Sequence, residues 1–110
     1  MSELPEPPPT FRAFVQRYPE LGEAWESIAR AGKRGPLDER TGRLVKLGVA
    51  IGAMRQGSVH AGVRKALGMG IEPEALEQVV ALAAGTIGLP SAVAAFTWVR
   101  DETGGTANEP

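Results

Sequence analysis

The sequence predicts an all-α domain, and three observations predict it. Apolar residues recur at three- and four-residue spacing along almost the whole middle of the chain, from Phe11 to Val99. No run alternates apolar with polar residues under β-branched enrichment, so no strand is expected. Proline, glycine and capping residues punctuate the pattern at Pro19, Gly35-Pro36, Asp38, Gly57, Pro73 and Pro90, which divides it into short segments.

Each segment has its own reason to be helical. Thr10 is placed to cap a short helix carrying Phe11, Phe14 and Val15. Tyr18-Pro19 breaks it, because the residue before proline disfavours the α region. Pro19 then opens a second helix with Leu21, Trp25, Ile28 and Ala29 on one side, ended by Gly32, Gly35 and Pro36. Asp38 is the expected N-cap of the third, "ERTGRLVKLGVAIGAMRQ". There Leu44, Leu47, Ile51 and Met54 line one face, and Val45, Val49 and Ala53 an adjacent one. That apolar arc is wider than one core-facing stripe requires. Gly48 and Gly52 fall four apart on it, each costing roughly 1 kcal/mol against alanine, a cost that close approach of another helix offsets.

Gly57 or Ser58 is expected to start the fourth helix, through Val59, Val63, Ala66 and Leu67 to Gly68 or Gly70. Glu72-Pro73-Glu74 starts the fifth, with proline in the first turn beside acids. It runs through Leu76, Val79, Val80, Ala83 and Ile87. "GLPSA" makes the next turn, and Pro90 or Ser91 opens a last helix through Val93, Phe96 and Val99. The expected organisation is a proline-rich flexible tail over 1–9, one helical domain over 10–103, and a flexible tail over 104–110.

Composition narrows the function. The 110 residues carry Lys+Arg 12 against Asp+Glu 13, so a nucleic-acid binder relying on bulk positive charge is not expected. There is no cysteine, which excludes disulfides, thiolate nucleophiles and zinc–thiolate sites. One histidine, no cysteine and no EF-hand loop predict no metal; "GTIGLP" and "GKRGP" lack the Walker lysine and its strand context, and no cofactor is expected. No basic stretch leads into an apolar one at the N-terminus, so no secretory leader is expected. The most apolar region, "LEQVVALAAGTIGLPSAVAAFTWV", is interrupted by Gly85, Gly88 and Pro90. It reads as two buried helices of a cytoplasmic protein, with no membrane partner.

The candidate chemistry centres on His60. A neutral imidazole is suited to general acid/base work near neutral pH; the alternative is a polar residue satisfied by its surroundings. Arg64 lies at i+4 on the same face. No carboxylate lies within a turn on that helix, so an acid orienting the ring has to come from elsewhere in the fold. Arg64 and Lys65 beside His60, with Arg55 just upstream and Ser58 at the helix start, form a basic neighbourhood suited to a carboxylate or other small anion; an ordinary solvated face is the alternative. Arg43 stands inside the otherwise apolar third helix, with Glu39 at i−4 as its candidate partner.

"LDERTGRLVKLGVAIGA" followed by "VRKALGMGIEPEALEQVVALAAGTIGLPSAVAAF" resembles the carboxymuconolactone decarboxylase and alkylhydroperoxidase-D-like family, over about Leu37 to Trp98. Its landmarks are the "VRKAL" helix, the glycine before "IEPEALEQVV", and "GLPSA". The resemblance implies a compact multi-helix array that works as a homo-oligomer, often a trimer or hexamer, with sites near subunit contacts. The family's redox members carry Glu, eleven residues, Cys, two residues, Cys, three residues, His. Through "VRKAL" those positions become Arg43, Arg55, Ser58 and Gly62. Cysteine-dependent peroxidase activity is thereby excluded, since thiol–disulfide exchange needs thiolates. His60 lies two residues before the family's histidine position, about 200° away around a helix. What the resemblance leaves is decarboxylase-like acid/base chemistry on a small organic acid or lactone, with His60 catalytic and Arg43, Arg55, Arg64 and Ser58 binding. The other reading is a non-catalytic assembly module that keeps the fold. The wide apolar arc of the third helix argues for self-association independently, because a lone subunit leaves one of its faces wet.

Overall fold

The computed structural model describes residues 8–104, and the flexible-tail expectations for 1–7 and 105–110 lie outside the described residues. Those residues form six helices and no strand: α1 (Pro9–Arg17), α2 (Pro19–Gly32), α3 (Glu39–Gly52), α4 (Gln56–Gly68), α5 (Pro73–Ile87) and α6 (Leu89–Thr103).

The punctuation works as the sequence implies, with small shifts. Pro9, not Thr10, begins α1, and no side chain caps it; proline tolerates the first turn because its missing N–H has no partner there. Asp38 caps α3, its carboxylate accepting the Thr41 amide at 2.7 Å. That bond holds the Asp38 carboxyl below the usual carboxylate range. α3 stops at Gly52, four residues before the expected end, and Met54 takes a left-handed φ of 54° in the turn. α4 therefore starts at Gln56, with Arg55 as the N-cap residue and Ser58 inside the first turn. Gly88, at φ +87°, is both the last cap of α5 and the first of α6. A side chain at that φ would strain the bend.

Helices α3 to α6 form the body. α4 packs on α3 and α6, and α5 packs on α3 and α6. Leu47, Ile51, Val59, Val63, Ala66, Ile71, Leu76, Val80, Ala92, Ala95 and Val99 close the core, with no buried polar residue among them. Most are small, so the helices lie close: a Cβ added at Gly62 would sit 3.6 Å from Leu47. The inward face of α6 differs from the expected one. Ala92 and Ala95 point in with Val99, while Val93 is 56% exposed.

Helices α1 and α2 form a hairpin that packs mainly on itself. Gly22 lets α2 approach Val15 of α1, and Phe14 meets Tyr18 edge-on at 5.5 Å. No residue of either helix is buried. Phe11, Phe14, Tyr18, Leu21, Trp25 and Ile28 are all exposed. The apolar stripes predicted for these helices exist, but this chain does not cover them. The second arc of α3 behaves alike: Val45 and Val49 are exposed while Leu47 and Ile51 are enclosed.

Candidate acid/base site

His60 sits one turn into α4, and Glu102 near the end of α6. Packing of these helices through Val59, Val63, Ala95 and Val99 brings the start of one beside the end of the other. His60 Nδ1 lies 2.7 Å from Glu102 Oε2. Both side chains are about four-fifths enclosed. With Glu102 ionised, the bond places the ring proton on Nδ1 and leaves the Nε2 lone pair free. Arg64 donates to the same carboxylate oxygen at 3.0 Å, so one acceptor holds two donors from α4. Asp101 Oδ2 stands 4.0 Å from Nε2.

The acid that the sequence required from outside α4 is therefore Glu102, forty-two residues on. Sequence reading missed it. The signal available was only that Asp101-Glu102 would follow the core stripe of α6 by one turn from Val99.

Of the other candidate residues, Arg64 alone is joined to His60, through the shared Glu102 oxygen. Arg64 is engaged with Glu102 and does not stand open as an anion receptor. Arg55 and Ser58 are exposed at the start of α4. Arg43 is half-buried on α3; it makes no ion pair with Glu39, and its Nε is buried without a hydrogen-bond partner. On α4, which packs against α3, Lys65 lies within electrostatic reach of Arg43. Burial, and then the nearby Arg43, Lys46 and Arg64 charges, lower the Lys65 ammonium from its ordinary value.

A second feature lies apart from His60. α3 and α5 enclose an open groove of about 740 Å³, floored by Leu44, Gly48, Val79 and Ala83 and walled by Val45 and Leu82. Arg40 and Glu72 bridge its polar end at 2.7 Å. The Arg40 guanidinium holds the Glu72 carboxyl below its ordinary value. Neither His60, Arg64 nor Glu102 lines the groove. Among the described residues no group of acidic or histidine side chains could hold a metal, and no helix is long and apolar enough to cross a membrane.

No curated protein and no solved structure matches the chain. The family model described as the carboxymuconolactone decarboxylase family matches residues 19–101, which spans α2 to the last turn of α6 and includes His60 and Arg64. The chain belongs to the carboxymuconolactone decarboxylase family.

Proposed function

We propose that this chain is a homo-oligomeric member of the family that binds a small anionic organic molecule and performs lactone-decarboxylase-type acid/base chemistry at His60. The observation that carries the reading is the His60–Glu102 pair, an imidazole fixed through Nδ1 by an enclosed carboxylate. That arrangement leaves Nε2 as the atom that gives or takes a proton. In a decarboxylation the C–C bond to the carboxylate breaks and CO2 leaves, its electron pair stays on the substrate carbon, and that carbon takes a proton that Nε2 has first picked up from water, which returns the ring to its Nδ1–H form. Arg55 and Ser58 at the start of α4, and Arg43 on α3, are the groups we assign to the substrate carboxylate. Arg64 holds Glu102 in place and so positions the ring.

The test is a turnover screen over lactones and small organic acids, with thermal shift to find ligands. His60→Ala is expected to lower turnover about 10²–10⁴-fold with the fold intact. Unchanged turnover in that variant would remove His60 from the chemistry.

A second reading is favoured by different observations. Gly62 occupies the family's histidine position in the alignment through "VRKAL", and large apolar surfaces stand bare on α1, α2, α3 and α5. These fit an assembly module without catalysis. It predicts a stable oligomer that no carboxylate ligand shifts in melting temperature.

A further inference from the structure

Two bare surfaces of this chain match each other and do not meet. The hairpin carries four of the chain's six aromatics, in a stripe with Leu21 and Ile28. The α3/α5 groove carries the opposite shape. Its floor contains Gly48 and Gly52; nothing lies within 4 Å of a Cβ added at Gly52, and at Gly48 only Val79 comes within that distance. Leu82 on its wall is 75% exposed. One surface supplies large knobs, and the other open positions in which to seat them. Yet no residue of α1 or α2 lines the groove.

We propose that the α1–α2 hairpin of one copy docks into the α3/α5 groove of a second copy. This deepens the assembly part of the proposed function and is independent of the His60 chemistry. The area supports it. Half-exposed side chains of this size leave on the order of 100 Å² bare each, so one docked hairpin and its groove together cover roughly 1,000 Å². A two-fold pair exchanges hairpins twice, and about 1,600 Å² is the usual size of a stable interface. The contact joins two different patches, so it closes either by reciprocal exchange in a dimer or around a ring.

The absence of cysteine makes the test direct. Trp25→Cys and Leu82→Cys chains, mixed and bridged by a short bis-maleimide, are expected to give a product of twice the chain mass. Sedimentation at micromolar concentration is expected to show an oligomer. Gly52→Leu adds a side chain to the groove from an exposed position whose Cβ meets nothing within 4 Å, so it should weaken association by roughly tenfold or more with an unchanged circular dichroism spectrum. An oligomer that forms normally in Gly52→Leu and gives no bridged product overturns the docking while leaving self-association standing. A monomer overturns both. Bridging within a doubly substituted monomeric chain would show that the hairpin closes on its own groove, which also overturns the proposal.

Discussion

The α1–α2 hairpin and the α3–α6 body are built by the same rules and end in opposite states. Both are helices with proline or a cap at the start and an apolar stripe along one side. The body encloses its stripe with side chains as small as Ala66, Ala92 and Ala95. The hairpin holds Phe11, Phe14, Tyr18 and Trp25, and buries none of them. Amphipathic spacing therefore specifies a helix and the face it must cover, but not which molecule covers it.

Truncation inside each region should separate them most sharply. Leu76→Ala removes a fully enclosed side chain and is expected to cost about 2–5 kcal/mol in urea unfolding. Ile28→Ala, at a site 64% exposed, should change the unfolding of dilute subunits within error. It should instead weaken association, read by sedimentation. Equal losses for both variants at high dilution would mean that the hairpin already belongs to a single-chain core.

A smaller effect is expected at the α4–α6 seam. Glu102→Ala leaves the largely enclosed His60 Nδ1 without its acceptor, at about 1–3 kcal/mol, while the more exposed Arg64 turns to water. Global unfolding should report the stability loss, and proton exchange of the His60 ring should speed up. Glu102→Gln keeps an acceptor oxygen there and should recover part of the stability.

The smallest effect concerns acid. Asp38 and Glu72 are held ionised below the ordinary carboxylate range, by the Thr41 amide and the Arg40 guanidinium respectively. A depressed folded-state value stabilises the fold above the unfolded-chain value, about pH 4, and that contribution is lost as pH falls through the folded value. Asp38→Ala with Glu72→Gln should therefore lower stability at neutral pH slightly and flatten its decline on acidification. A pH profile parallel to that of the unsubstituted chain would contradict the assignment.

Helix number and order were legible because glycine, proline and Asp38 mark the breaks, and because Leu47, Ile51, Val59 and Val63 repeat at helical spacing. The face of α6 was harder to read: a helix rich in alanine offers competing stripes, and Val93 on the wrong one is larger than Ala92 on the right one. Of the candidate site, His60 was legible as the chain's sole imidazole. Glu102 was not, because its pairing with His60 depends on how α6 packs on α4, and local spacing carries no signal of that. Arg64 was legible as a cation on the face of His60, and Arg43 as an unusual cation within an apolar helix. That one is taken by Glu102 and the other keeps an unpartnered Nε is a property of packing.

Hydrogen exchange at two protein concentrations tests the contrast between hairpin and body most directly. Amides of α3–α6 should be protected alike at both, since their cover comes from the same chain. Amides of α1–α2 should exchange fast when dilute and become protected as concentration rises through the association range. Hairpin amides with protection independent of concentration, whether strong or absent, would contradict completion of this fold by a second copy.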